Sequence, residues 1–378
     1  MSEQKRIPLV IMRGGTSKGI YIKENDLPTD PKERDELILR LFGSPDVRQI
    51  DGLAGADPLT SKLAIIGPPS RPDADVDYTF AQVSITDRVV DYKGNCGNIS
   101  SGVGPFAIDE SLVKAVEPVT RVRIHNTNTG KMLYAEVQVK DGKARVKGDC
   151  AIAGVPGTSA PILLDFASTA GAATGNVLPT GHPVDTLETS RGPIEVSIVD
   201  VANPCVFVRA KDVGMKGTET PDVIDGNKEL LAYLEEIRSK CCAMIGMAKD
   251  PADATKHSPA FPMVAFVTEA ADYVDFTSGK TIHKEDLDFV SRLMFMQVLH
   301  KTYAGTATAC TGAAAKIKGT IVNQVIPHID EIDTIRIGHP AGIIPVVAAV
   351  EGNEVKKSAL VRTARRLMEG YALVPDED

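Results

Sequence analysis

The chain has 378 residues, 43% of them hydrophobic and 24% charged, with a formal net charge of −8 and no tryptophan. That length exceeds what one core usually serves and predicts two domains, while the acidic balance speaks against nucleic-acid binding, which needs clustered Lys and Arg. The apolar stretch near the start is too short for a signal peptide, and no run reaches the roughly 20 apolar residues of a bilayer span. Six scattered cysteines without a C-x-x-C pair, and seven dispersed histidines, predict reduced thiols in a cytoplasmic protein and no metal site.

Residues 7–23, "IPLVIMRGGTSKGIYIK", read as strand, glycine loop and strand. The loop offers Gly14, Gly15, Thr16, Ser17 and Gly19, whose hydroxyls and N–H groups suit a carboxylate or a phosphate. P-loop spacing is absent. Residues 30–45 read as a short helix with Pro31 in its first turn and Gly43 and Pro45 ending it. In "GLAGADPLTSKLAII", 52–66, Lys62 stands at the lip of an apolar run. A lysine there is under desolvation pressure, which favours its neutral form. The bland alternative is a solvated strand-end lysine.

Residues 75–92 alternate as a strand, and "GNCGNISSG" follows, with Cys96 among glycines and polar residues. "IDESLVKAV" after it predicts a helix. A thiol at a helix N-terminus meets N–H groups and a dipole that stabilise a thiolate and hold a carboxylate, here through Gly97 and Asn98. A small buried hydrophobe is the other reading of any free cysteine. It suits Cys150, Cys205, Cys241 and Cys242 better than Cys96, which lacks apolar neighbours.

Residues 120–148 read as a strand meander with Asn-Thr-Gly and Lys-Asp-Gly turns. From 150 to 190 the composition turns to Gly, Ala, Ser, Thr and Pro, as irregular chain near a domain boundary. Strands follow at 194–208 and a helix at 227–248. The apolar spacing predicts another helix over 283–304, with His300 and Lys301 at its end. Next comes a second small-residue loop, "TACTGAAA", whose Thr311, Gly312 and Ala313 N–H groups mirror those after Cys96. Residues 334–350 give strand, turn and strand, and alternation favours a strand in the tail.

These elements predict an α/β (α+β) protein of two similar domains, 1–185 and 186–378, facing one another across a cleft. A tail returning to the first domain stays open as an alternative.

The stretches "MRGGTSKG", "GADPLTSK", "GNCGNISSGVGPFA", "ANPCVFV", "HKTYAGTATACTGAAA", "RIGHPAG" and "RTARR" together resemble the PrpF family, within the diaminopimelate-epimerase-like fold. The resemblance covers nearly the whole chain. It implies two topologically similar domains with the active site between them, no cofactor and no metal. A homo-oligomer, dimer or tetramer, is expected.

The implied reaction moves a carbon–carbon double bond in a small unsaturated di- or tricarboxylate. (R)-3-methylitaconate to 2,3-dimethylmaleate is expected first, with 2-methylaconitate and 4-oxalomesaconate as alternative substrates. Lys62 and Cys96 match the family's catalytic pair, and Ser17 and His300 match other cleft residues. Epimerases of this fold carry a second cysteine in an A-C-G-T-G-A pattern. The segment "ACTGAA" around Cys310 departs from it, which weighs against amino-acid epimerisation.

Moving a double bond needs a proton taken from one carbon and another delivered two carbons away, through an enolate-like anion that requires placed donors. Lys62 and Cys96 are expected to divide base and acid between them, in either order. Thr16, Ser17, Gly97, Asn98, His300, Thr311 and Gly312 are the expected substrate contacts. A carboxylate-binding accessory protein is the non-catalytic alternative.

Overall fold

The structure is a computed structural model describing residues 3–93 and 95–375, so Gly94, the first glycine of the cysteine stretch, lies outside the described residues. Two compact units emerge. The first runs to Leu164 and takes the chain back from Arg362 onward, and the second is Asp165–Val361.

The first unit begins with antiparallel strands Gln4–Gly14 and Ser17–Lys23, in which Gly14 faces Ser17. Helix Pro31–Phe42 follows, capped by Asp30, whose carboxylate accepts from the N–H groups of Lys32 and Glu33 at 2.9 and 3.0 Å. It stops at Gly43, in the left-handed conformation at φ 69°. Its buried side, Ile38, Leu39, Leu41 and Phe42, joins the core under the sheet.

Strand Lys62–Gly67 lies parallel to Ser17–Lys23 and antiparallel to Val76–Val83, and is buried along its whole length. A strand covered on both faces reads as an unbroken apolar run. After helix Gly97–Asp109 comes Val119–Asn126, parallel to Val76–Val83, then Lys131–Lys140 antiparallel to it. The final strand, Ala364–Pro375, pairs antiparallel with Gln4–Gly14.

The second unit repeats this order. Gly192–Val201 and Asn203–Arg209 form the hairpin, helix Lys228–Met244 leads to Met263–Glu269, parallel to the hairpin's second strand, and Phe289–Phe295 runs antiparallel to it. Helix Gly305–Lys316 then leads to Thr334–His339, parallel to Phe289–Phe295, and on to Gly342–Glu351. Among the described residues, no helix is long and apolar enough to cross a membrane.

Three expectations are corrected. Residues 283–304 hold no helix but strand Phe289–Phe295, a turn with Met296 and Gln297 at φ 53° and 63°, and strand Val298–Leu299. Six successive buried residues, Phe289–Met294, gave the apolar density mistaken for a helical face. Two of them are polar and are satisfied in place: Ser291 Oγ pairs with Tyr303 Oη at 2.8 Å, and Arg292 Nε donates to the Glu219 carbonyl at 2.8 Å.

Residues 108–116 are mostly not helical either, because the helix starts earlier, at Gly97. It ends at Asp109, where Ser111 takes φ 59° and the Leu112 N–H turns back to the Ala107 carbonyl. Finally, "TACTGAAA" is the body of helix Gly305–Lys316, not a loop before it.

Candidate active site

Cys96 is the N-cap of helix Gly97–Asp109, half-buried, while Gly97 through Ile108 are buried. A helix so enclosed must be made of small or apolar residues, and the sequence supplies them. Gly97, Asn98 and Ile99 occupy the first turn, where N–H groups have no partner within the helix. Asn95 fixes the backbone at the mouth. Its Oδ1 accepts from the Cys96 N–H at 2.7 Å and from Ser100 Oγ at 3.0 Å, and Ser100 Oγ also donates to the Cys96 carbonyl at 2.9 Å.

The hairpin tip 14–17 presses on this mouth. Gly15 takes φ +52°, and a Cβ there would lie 2.2 Å from Asn98 Oδ1. Only glycine meets both demands. Asn98 Nδ2 donates to Thr16 Oγ1 at 3.0 Å, and Tyr21 Oη donates to the Ile99 carbonyl at 2.5 Å. Burial holds the Tyr21 hydroxyl well above its ordinary range, and the Cys96 thiol pushes the same way. Two buried polar atoms here have no hydrogen-bond partner among the described residues: Ser17 Oγ and Asn98 Oδ1. Such atoms are rare in folded proteins and ask for an explanation.

Lys62 opens the strand beside the hairpin's second arm. It pairs in register with Gly19, and a Cβ on Gly19 would meet the Lys62 carbonyl at 2.7 Å and Ile99 Cδ1 at 2.9 Å. Gly19 is therefore the spacer between the start of the lysine strand and the first turn of the cysteine helix. Lys62 is 3% exposed; its Nζ donates to Gln82 Oε1 at 2.6 Å and lies 5.4 Å from the Phe80 ring centre. Gln82 Nε2 donates to the carbonyls of Ser61 and Pro58, which turns its oxygen toward the amine.

Arg362, next to Thr363, completes this end of the first unit. The Thr363 carbonyl accepts from the Gly15 N–H and from Arg13 Nη1, both at 2.9 Å. Burial lowers the Arg362 guanidinium to about 10, and the thiols of Cys150 and Cys96 act in the opposite direction.

Of the expected residues, Thr16, Ser17 and Asn98 meet at one hairpin tip, Cys96 and Gly97 open the helix it presses on, and Lys62 pairs with Gly19 on the hairpin's second strand. His300, Thr311 and Gly312 belong to the second unit. His300 follows strand Val298–Leu299, and its Nδ1 accepts from the Thr302 N–H at 3.2 Å, which leaves Nε2 to carry the proton of a neutral ring. Thr311 and Gly312 lie inside helix Gly305–Lys316, where backbone N–H groups are spent on the helix itself. The expectation that they offer N–H donors is therefore corrected; the first-turn donors of that helix are Gly305, Thr306 and Ala307. Thr311 Oγ1 instead pairs with Tyr303 Oη at 3.1 Å.

The repeat also locates Cys310. Gly104 and Gly312 hold the same place in their helices, each lying against a valine and an alanine of a strand, Val137 and Ala135 or Val346 and Ala348. The counterpart of Cys96 is then Ala304, the N-cap of the second helix. Cys310 stands further along, fully buried, its thiol donating to the Val199 carbonyl at 3.1 Å.

Asn95, Gln82, Tyr21 and Arg362 escaped the sequence reading. Asn95 carried one local signal, as a capping-type residue just before the helix mouth, and Arg362 stood only as the first residue of "RTARR".

A thiol at a helix mouth, an enclosed amine and a glycine tip with unpaired polar atoms are groups that can exchange protons and hold an anion. The surrounding mixed α+β fold is that of a hydroxyproline epimerase from Agrobacterium vitis, with a TM-score of 0.58 at 14% identity over 98% of this chain and 93% of that one. Residues 4–375 match the family model described as PrpF protein, and the chain belongs to that family.

It is 74% identical to a 3-methylitaconate isomerase of Eubacterium barkeri over 99% of this chain and 98% of that protein. A crystallised methylitaconate-delta-isomerase superposes with a TM-score of 0.87 at 74% identity, covering 99% and 97% of the two chains. The chain is 40% identical to a 2-methyl-aconitate isomerase of Cupriavidus necator, over 99% and 98% of the two proteins. The (4E)-oxalomesaconate Delta-isomerase of Novosphingobium sp. (strain KA1) is also 40% identical, over 97% of each.

Proposed function

We propose that this chain isomerises 3-methylitaconate to 2,3-dimethylmaleate by a 1,3-proton transfer. The observation that carries this reading is 74% identity along almost the full length of a 3-methylitaconate isomerase. At 40%, the methylaconitate and oxalomesaconate enzymes support the reaction class more than the substrate.

The substrate proton lost is the one on the carbon bearing the methyl group, acidified by its carboxylate and by the allylic position. When that C–H bond breaks, its electron pair spreads onto the adjacent carboxylate and across the allyl unit. A proton then bonds to the former methylene carbon, and the double bond comes to rest between the two carboxylate-bearing carbons. Nothing is oxidised or reduced.

Cys96 and Lys62 divide the two proton transfers. The approach of the turn after Cys96 to Gly14 and Gly15, and of the Lys62 backbone to Gly19 on the same hairpin, supports that assignment. First-turn N–H groups of Gly97 and Asn98, the hydroxyls of Thr16 and Ser17 and the amide of Asn98 take the carboxylates. Ser17 Oγ and Asn98 Oδ1 are unpaired in the free protein, as expected of groups reserved for a ligand. Asn98 Oδ1 accepts only, so it meets the carboxylates through a bridging water.

The test is proton NMR of purified protein with 3-methylitaconate, 2-methylaconitate and 4-oxalomesaconate in parallel. The reading expects loss of the methylene signals of methylitaconate and growth of the dimethylmaleate methyl signal, at a higher kcat/KM than for either tricarboxylate-derived substrate. Preferred turnover of methylaconitate or oxalomesaconate overturns the substrate. Turnover of none overturns the activity.

A further inference from the structure

The proposed reaction places two carboxylates and a developing carbanion beside Cys96, in a protein of net charge −8. Backbone N–H groups contribute only partial charges to offset this. Lys62 is engaged in proton transfer, so it is not a constant positive charge through the cycle. A further full charge is needed, and the first unit holds one.

Arg362 is 3% exposed. Arginine is seldom enclosed so completely, because removing a guanidinium from water is costly unless an anion or a dense set of acceptors faces it. Its Cδ lies against the hairpin tip: a Cβ on Gly15 would meet Arg362 Cδ at 3.2 Å and Asn98 Oδ1 at 2.2 Å. The arginine stem and the Asn98 amide therefore flank the same glycine. Burial disfavours the arginine's charged form, and the thiols of Cys150 and Cys96 both oppose that effect. Thr363, the next residue, ties this chain segment to the tip through the Gly15 N–H and Arg13.

We propose that Arg362 is the carboxylate anchor of the site, its guanidinium facing the substrate carboxylate next to the carbon that Cys96 serves. The inference rests on the isomerase reading for the identity of the ligand, but its test does not. Anionic iodoacetate and neutral iodoacetamide both alkylate thiols, and they differ in the carboxylate an anchor would hold. The ratio of their rates at Cys96, followed by peptide mass spectrometry to separate Cys96 from Cys150, therefore reads the anchor without any turnover.

In the wild-type protein the ratio should exceed that of glutathione. R362Q should lower it about tenfold, and R362K, which keeps the charge, should preserve most of it. With 3-methylitaconate, R362Q should lose about 100-fold in kcat/KM. An arginine that merely braces the chain would slow both reagents together and leave the ratio unchanged, which overturns the inference. Should R362Q not fold, a wild-type ratio no higher than glutathione's overturns it equally. A responsive ratio in a protein that isomerises nothing leaves the anchor standing and removes the isomerase reading; normal isomerisation with an unresponsive ratio does the reverse.

Discussion

Replacing Ser17 by alanine separates ligand binding from folding, because the two should move in opposite directions. Ser17 is 3% exposed, and its Oγ has no hydrogen-bond partner among the described residues. A buried hydroxyl left unpaired costs about 1–3 kcal/mol. Deleting it removes that cost and leaves a void the size of one oxygen, which returns part of the gain. S17A should therefore be as stable as wild type or more stable, by up to about 1 kcal/mol, seen as an unchanged or raised guanidinium unfolding midpoint.

The same oxygen, once a substrate carboxylate is present, gains a charge-assisted hydrogen bond, of order 1.5–3 kcal/mol. Losing that bond should reduce kcat/KM by roughly 10- to 150-fold. The assay is initial-rate NMR beside a guanidinium melt on the same preparation. If S17A loses both stability and activity, the hydroxyl has a structural partner. If it keeps wild-type kcat/KM, the hydroxyl is not a substrate contact. Either result refutes the reasoning.

Cys96→Ser and Lys62→Ala should each lower kcat by about 10²- to 10⁴-fold, the range of a lost acid or base, whereas Cys310→Ser, fully buried within helix Gly305–Lys316, should stay within a few-fold of wild type. Gly15→Ala forces a left-handed alanine and a Cβ 2.2 Å from Asn98 Oδ1, so it should destabilise the first unit by about 1–3 kcal/mol and remove most activity, measured by the same melt and assay. Above pH 10 stability should fall. Burial raises the hydroxyls of Tyr21, Tyr78 and Tyr303 above their ordinary range, so the folded protein keeps protons that an unfolded tyrosine, near 10, gives up. Phenolate absorbance from these three should appear only together with alkaline unfolding, and a phenolate signal preceding loss of structure contradicts this.

The parts of the site legible in the sequence were those whose chemistry is local. A glycine tip and a small-residue helix mouth demand residue types that stand out in a run, so Gly14–Ser17 and Gly97–Asn98 were visible around Cys96. Strand Phe289–Phe295 was not, because burial on both faces erases the alternation that distinguishes a strand from a helix. The second small-residue run misled for a related reason. Alanine, glycine and threonine suit a helix buried on every side as well as a loop, so Cys310 drew the comparison that belongs to Ala304. Arg362 was marked only as the first residue of "RTARR", a run that says nothing of enclosure. What sets it apart is enclosure beside residues some 350 positions earlier, such as Gly15, which only the folded chain creates.

The most direct test of two separate proton-handling groups is a single turnover of 3-methylitaconate in deuterium oxide, with the new methyl group read by NMR. Removal by one group and delivery by another predicts one deuterium in that methyl. Full retention of the substrate's own hydrogen there points to one residue carrying a single proton across, and contradicts the division of labour between Cys96 and Lys62.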